Sequence, residues 1–264
     1  MTIIIESPQN PRLKELKRLA TRRGRARSGR FAAEGEDLVL AARNAGRNAV
    51  EGFRLAGCGL GDERFHDVQA ELLRAVSSLG SGTRVIGVYE QEWVRPRGPL
   101  CVYLHGVGDP GNVGTVLRSA HAFGASCVAL GPGCADPHSP KAVRASMGAI
   151  FAVAIARVDD VGELPGERVA LVADAAESLQ AAADAAGAEA AAPRQASAGE
   201  AAITLLVGAE RDGLPAQVLG VCERRVRIPI VSESLNAAMA ATVALYELTR
   251  DGRLAPASSR VRAS

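Results

Sequence analysis

The chain has 264 residues, 47% of them hydrophobic, enough for two modest cores, and it has no uninterrupted run of about 18 apolar residues of the kind that spans a membrane. Its opening, Met1-Thr-Ile-Ile-Ile-Glu6, is too short and too soon charged for the apolar region of a secretory signal, so a soluble, cytoplasmic protein is expected. The net charge of +2 hides an asymmetry, because residues 12–30 carry nine Arg or Lys against the single acid Glu15, a local +8 that leaves the remainder at −6.

Pro11 is placed to begin a helix after the Ser7-Pro8-Gln9-Asn10 turn, with Leu13, Leu16 and Leu19 at helical spacing and the cations mostly on the other faces. The basic cluster, which includes Arg22, Arg23, Arg25 and Arg27, suits a polyphosphate partner through counterion release. It equally suits a solvated helix face with a flexible arm, and composition leaves both open. Gly24 and Gly29 weaken the helix before the short apolar segment Phe31-Ala32-Ala33, and Glu36 to Ala45 reads as a second helix ending at Gly46. The pattern then predicts a strand over Val50–Ala56, a helix over Phe65–Leu79 and a strand over Arg84–Tyr89, a small alternating α/β unit. Gln91 to Pro99, with Pro96, Gly98 and Pro99, is the expected linker, so the boundary falls near residues 95 and 96: a domain over 1–95 carrying the basic arm, and a second over 96–264.

From Leu100 the alternation resumes: strand Leu100–Leu104, helix Val113–Phe123, strand Ser126–Leu130, a helix near Lys141–Met147 and strand Phe151–Ala156. Further strands are expected at Val169–Val172 and Ile203–Val207, with a last helix over Leu235–Leu248, which together imply an α/β domain on a parallel sheet. Ala175 to Ala202 is Ala-rich and reads as part helix, part loop, without assigned chemistry. The five cysteines form no C-x-x-C pair and mostly sit in apolar runs, which speaks against a zinc site or a disulfide framework.

Gly106-Val107-Gly108-Asp109-Pro110-Gly111 has the letters of a dinucleotide-binding G-x-G-x-x-G. That fingerprint also needs a ribose-binding acid about 20 residues on, where this chain has Gly131-Pro132-Gly133, and Pro110 falls where its helix should already have begun. A nicotinamide oxidoreductase is therefore rejected.

Three other blocks carry more. Asn112-Val113-Gly114-Thr115-Val116-Leu117-Arg118 runs from a tight turn into a helix, where Asn112 is placed to cap it and Gly114 permits close backbone approach. Arg118 presents a planar fork suited to phosphate, or simply a surface ion pair. Leu205-Leu206-Val207-Gly208-Ala209-Glu210-Arg211-Asp212-Gly213 is a buried strand ending in a glycine loop, in which Glu210 orients a ligand or is an ordinary solvated acid. Ile228-Pro229-Ile230 leads from an apolar strand through Ser232-Glu233-Ser234-Leu235-Asn236 into an Ala-rich helix that Ser234 would cap.

In order and spacing these blocks resemble the three motifs of the SpoU (TrmH-like) RNA ribose methyltransferases, over about Leu100–Leu248. A fainter resemblance, in S-P-Q-N-P-R-L-K and R-x-x-x-G-R-F-A-A-E-G, is to the L30e-like substrate-binding domain of longer members. The resemblance implies a deep trefoil knot in the C-terminal domain, a homodimer, S-adenosylmethionine as cofactor and RNA, with a tilt toward ribosomal RNA, as substrate. It puts Gly208, Ile228 and Leu235 at the cofactor, Asn112, Arg118, Glu210, Ser234 and Asn236 around the target ribose, and Arg144 on the substrate side.

A ribose 2′-hydroxyl attacking a methyl group on sulfonium must be oriented in line and helped to lose its proton. Arg118 is the family's usual candidate. Because a guanidinium stays protonated, it is expected to position phosphate and polarise the hydroxyl, with the deprotonating group left open. Three departures stand out: His105 where many relatives have an acid, a short interval from Ile228 to Leu235, and no Pro-Gln-Gly strand before Leu100. A noncatalytic RNA-binding protein on the same fold, a transfer-RNA ribose methyltransferase and a knotted base methyltransferase are the competing readings.

Overall fold

The Asn10 side chain accepts a hydrogen bond from the Arg12 amide and Pro11 brings a preset φ, so helix α1 (Pro11–Arg18) starts where the turn residues place it. The computed structural model describes residues 4–79, 82–191, 202–232 and 234–250, with main chain alone at 186–191. Two compact units form, one from Met1–Glu92 with Asp136–Ala152, the other from Trp93–Ala135 with Val153–Ser264. Among the described residues no helix is long and apolar enough to cross a membrane.

The first unit continues through α2 (Arg22–Ser28), capped by Thr21 Oγ1 on the Gly24 amide and closed by Gly29 at φ 65°, so the basic segment is two short capped helices. Strands β1 (Ile4–Ile5), β2 (Arg30–Glu34), β3 (Glu51–Leu55), β4 (Phe65–Val68) and β5 (Val85–Glu90), with α3 (Glu36–Asn44) and α4 (Ala70–Val76), complete it. The sheet order is β1-β4-β3-β5-β2, parallel across β1, β4 and β3 and antiparallel at β5. Leu13, Leu16 and Leu19 pack with Phe53, Val68, Leu73, Ile86 and Val88, the core their helical spacing predicts.

The helix expected over Phe65–Leu79 is a strand followed by a shorter helix. Phe65–Val68 pairs in parallel with β1 on one side and β3 on the other, and two ladders outweigh the helical reading of four residues.

The second unit holds β6 (Leu100–Leu104), α5 (Pro110–Ala122), β7 (Cys127–Leu130), β8 (Ala154–Arg157), β9 (Glu167–Leu171), β10 (Glu177–Ser178), β11 (Ile203–Val207) and β12 (Arg224–Arg227). Between β7 and β8 lies α6 (Pro140–Ala145), which belongs to the first unit; α7 (Leu179–Ala191), α8 (Ala216–Leu219) and α9 (Ala237–Thr249) follow. All seven strands are parallel, in the order β10-β12-β9-β11-β6-β7-β8. Every residue of Leu100–Leu104, Cys127–Leu130 and Ile203–Val207 is buried, as a parallel sheet covered on both faces requires. The strand expected from Phe151 starts at Ala154 instead, because Ala149–Phe151 closes a 3₁₀ turn behind Gly148 at φ 89°. β12 and β10 were not anticipated, their polar sequences hiding them. Of the Ala-rich stretch, α7 is its helical part, and residues 192–201 lie outside the described residues.

Arg25 requires a correction. It was expected among the cations offered to RNA, yet it is only 3% exposed. Its Nε donates to Asp136 Oδ2 at 2.9 Å and its Nη1 to the carbonyls of Leu19 and Ala20 at 2.8 and 3.0 Å. Asp136 Oδ1 also takes the His138 amide at 2.9 Å, and the His138 ring lies 4.8 Å from Phe31 in a group that includes Tyr89 and Phe151. The cluster fastens α2 to the segment carrying α6, while Arg22, Arg23 and Arg27 stay exposed. Removing one partner of a buried pair strands the other charge. Arg25→Ala is therefore expected to cost about 3 kcal/mol, against about 0.5 kcal/mol or less for Arg22→Ala, in urea unfolding of the whole chain; equal small losses would refute the anchoring role of Arg25.

Candidate active site

In a parallel sheet, the loops leaving the carboxyl ends of neighbouring strands are neighbours themselves, and ligands settle between them. β12, β9 and β11 are adjacent, so the loops after Leu171, Val207 and Arg227 meet around one cleft of about 490 Å³. Gly208, Ile228 and Leu235, the three positions assigned to a cofactor, all line it, as do Glu210 and Ser234. The walls are apolar at Leu171, Leu214, Ile228 and Leu235 and acidic at Asp174, Glu210 and Asp212.

The loop after β11 folds back on itself: the Gly213 amide donates to the Ala209 carbonyl at 2.9 Å, with Gly213 at φ 61°. A Cβ on Gly208 would lie 2.2 Å from the Gly213 carbonyl carbon, so the loop's own main chain excludes a side chain there.

Beside the cleft, three distant segments converge on one oxygen. Glu210 Oε1 accepts from Asn112 Nδ2 at 2.9 Å, from Asn236 Nδ2 at 2.6 Å and from the Ala237 amide at 3.4 Å. Asn236 Nδ2 also reaches Asn112 Oδ1 at 3.2 Å. The second carboxylate oxygen, Oε2, has no hydrogen-bond partner among the described residues.

Two capping expectations are corrected. Asp109, not Asn112, caps α5, its side chain accepting from the Asn112 amide at 3.0 Å. Asn112 therefore sits inside the first turn with its amide free to face Glu210. Asn236, not Ser234, caps α9, its Oδ1 accepting from the amides of Ala238 and Met239 at 3.0 and 3.3 Å. Ser234 is an exposed residue of the cleft wall.

Arg118 lies six residues beyond Asn112 on α5, about 9 Å along the axis, and does not join this network. It is exposed, and its side chain has no hydrogen bond or ion pair among the described residues. Arg144 belongs to the first unit, where Nη1 donates to Ser78 Oγ at 2.9 Å. The sequence reading missed Asp174 and Leu171; their position at a strand's carboxyl end was the available signal.

Behind the site His105 Nδ1 is 2.9 Å from the Tyr103 hydroxyl; burial lowers the His105 pKa and raises that of Tyr103 to about 12. Gly106, in the left-handed region at φ 69°, backs onto Gly133, where an added Cβ would stand 3.1 Å from the Gly106 Cα. Gly106, the first of the glycines that mimic a dinucleotide fingerprint, thus serves a close approach of two loops.

Comparison with known proteins agrees with this architecture. The model of the SpoU rRNA Methylase family matches residues 99–246, and that of the MRM3-like substrate binding domain matches residues 10–91. An uncharacterized tRNA/rRNA methyltransferase of Mycobacterium tuberculosis is 40% identical over 152 residues, 56% of this chain; the match spans about half, 51%, of that relative's length. The 23S rRNA (guanosine(2553)-2′-O)-methyltransferase RlmP of Bacillus subtilis is 28% identical over 92% of this chain and 98% of its own. The crystal structure of an AdoMet-bound rRNA methyltransferase from Sinorhizobium meliloti superposes with a TM-score of 0.77 at 27% identity, covering 94% of this chain and 98% of that one. Matched over more than half its length by the family model, and on the sheet and loops described above, the chain belongs to the SpoU rRNA methylase family.

Proposed function

We propose that the protein transfers a methyl group from S-adenosylmethionine to a ribose 2′-hydroxyl of RNA, with ribosomal RNA as substrate. The observation that carries this reading is the convergence of Asn112, Glu210 and Asn236 on the rim of the cleft lined by Gly208, Ile228 and Leu235. The cleft fits the cofactor: its volume is within the range of small-molecule sites, roughly 300–1,000 Å³, its apolar walls suit a purine, and its carboxylates suit ribose hydroxyls and a cationic tail. When bound, S-adenosylmethionine supplies an electrophilic methyl group on a sulfonium.

The remaining work falls to the chain. Glu210, steadied through Oε1 by three donors, keeps Oε2 to accept from the attacking hydroxyl and orient it. Arg118, exposed and uncommitted, holds the adjoining phosphate by its fork and polarises the hydroxyl while remaining protonated. Ser234 is a further hydroxyl on the wall that the ribose would meet.

Arg22, Arg23 and Arg27, on exposed positions of α2, and Arg144 are assigned to the RNA backbone, and the match to a substrate-binding domain over residues 10–91 supports that division. The name of the Bacillus subtilis relative supports ribosomal RNA, and a cytoplasmic reaction belongs to the same reading. A homodimer is supported by α9, where Met239, Val243 and Tyr246 form an exposed apolar stripe at 58%, 42% and 56%.

Incubating the protein with labelled S-adenosylmethionine and ribosomal RNA from a strain lacking its gene, then digesting the RNA, tests the reaction. Label is expected on ribose, and Arg118→Ala should lower kcat/KM by about a hundredfold or more without changing the melting temperature. Label on a base, or none despite bound cofactor, would overturn the assignment.

Asn236→Asp tests the network separately. Aspartate caps α9 as well as asparagine does, so the cap survives, but a second carboxylate now faces Glu210. Paired like charges raise a carboxyl pKa above its unfolded value, so the penalty, about 1 kcal/mol, applies at neutral pH and is relieved as pH falls through the carboxylate range. Thermal melts across pH should show that recovery; a loss independent of pH would mean that Glu210 and Asn236 do not face each other.

A further inference from the structure

The segment expected to be a linker is a fixed strap with a charged face. Within Trp93-Val94-Arg95-Pro96-Arg97, Val94 lies beside β8, an edge strand of the seven-stranded sheet. The Val94 amide donates to the Ile155 carbonyl at 2.9 Å and Val94 bridges Ala156 in parallel. At the other end Gly98, at φ 96°, presses on Ser126, where an added Cβ would meet the Ser126 Cβ at 2.3 Å. Pro96 biases Arg95 toward extended backbone, and along an extended chain Trp93, Arg95 and Arg97 alternate with Val94 and Pro96.

Across the edge, the Arg157 guanidinium lies over the Trp93 ring, 4.4 Å from its centroid. Such stacking leaves the N–H rim of the guanidinium for an anion. Arg95 and Arg97 are exposed, and neither side chain has a hydrogen bond or ion pair among the described residues. Of the acids just after β8, Asp160 Oδ1 accepts from the Gly162 amide at 2.9 Å, and none of Asp159, Asp160 and Glu163 forms an ion pair with Arg95, Arg97 or Arg157 among the described residues.

We propose that Trp93, Arg95, Arg97 and Arg157 form a subsite for a single-stranded stretch of the RNA substrate, with phosphates on Arg95 and Arg97 and an unstacked base against the Trp93–Arg157 pair. An aromatic ring interleaved with arginines is the chemistry that single-stranded RNA uses, stacking for the base and cations for the backbone. The subsite belongs to the unit that carries the cleft and is separate in sequence from the basic helices α1 and α2. It rests on the reading of the protein as an RNA ribose methyltransferase and adds a determinant of substrate binding.

Trp93 is the only tryptophan in the chain, so its emission reports on this strap alone. The full-length protein is titrated with a single-stranded RNA oligonucleotide, followed by Trp93 emission and, in parallel, by anisotropy of a labelled copy. Emission is expected to fall in step with binding. Arg95→Glu/Arg97→Glu should weaken binding about tenfold and flatten the dependence of log K on log salt by about 1.4, two single-strand contacts. It should also raise the KM for RNA at unchanged kcat and cofactor affinity.

If the wild type binds RNA and methylates it while Trp93 emission stays constant and the double variant binds normally, the subsite is wrong and the methyltransferase reading stands. Wild type that neither binds nor methylates RNA removes both. Quenching by polyglutamate as strong as by RNA would mark a surface for acidic protein and overturn the subsite.

Discussion

One carboxylate oxygen joins the three blocks of sequence on which the site is built. Glu210 Oε1 receives Asn112 from α5, Asn236 from the turn before α9 and the first amide of α9 itself, at 2.6–3.4 Å. Those segments are as much as 124 residues apart in sequence. Neutral amides are the partners that a carboxylate at a ligand cleft requires. Arginines in their place would spend its charge, whereas amides fix one oxygen and leave the other usable. The sheet makes the meeting possible, since β11 delivers Glu210 beside the carboxyl ends of β9 and β6, and α5 follows β6.

The charge of the chain is divided along the same lines. Of the cations in the basic segment, Arg25 is withdrawn into the first unit to meet Asp136, and Arg12 pairs with Glu51. The rest of α2 is left solvated. A buried ion pair is a poor source of net stability but a good source of specificity, because any packing that separates Arg25 from Asp136 buries an unmatched charge. The exposed arginines of α2 are thereby held at a fixed place on their unit. An arm free to move would have to be ordered when it bound phosphate, at a cost in conformational entropy.

Much of this was legible in the sequence, and the failures have physical causes. Leu13, Leu16 and Leu19 announced their helix by spacing, and the apolar runs at Leu100–Leu104 and Ile203–Val207 announced a doubly covered sheet. Gly208, Ile228 and Leu235 were placed together by their motifs, and one cleft contains all three. What failed was decided by long-range pairing or by competition between neighbours. Phe65–Val68 is a strand only because β1 and β3 flank it. Asn112 and Ser234 are good capping residues whose places were taken by Asp109 and Asn236, and side-chain preference alone does not say which of two adjacent candidates wins. Arg25 looks like its neighbours in sequence, and only its partner 111 residues away sets it apart.

Helix α9 shows how packing away from the chemistry sets the site's dimensions. α9 presents Ala237, Ala238, Ala241 and Ala244 as buried small residues and packs along α5, where Thr242 meets Ser119 with oxygens 2.6 Å apart. Small side chains let two helix axes approach closely, and axis separation follows side-chain size. Asn112 sits at the start of α5 and Asn236 at the start of α9, so the separation of the two helices is also the separation of the two amides that share Glu210. A wider helix pair would carry Asn236 away from Asn112 and leave Glu210 with one amide in place of two. Ala238, Ala241 and Ala244 therefore contribute to the geometry of the site without lining the cleft, which is why an Ala-rich helix follows this motif where larger apolar residues would have buried more surface.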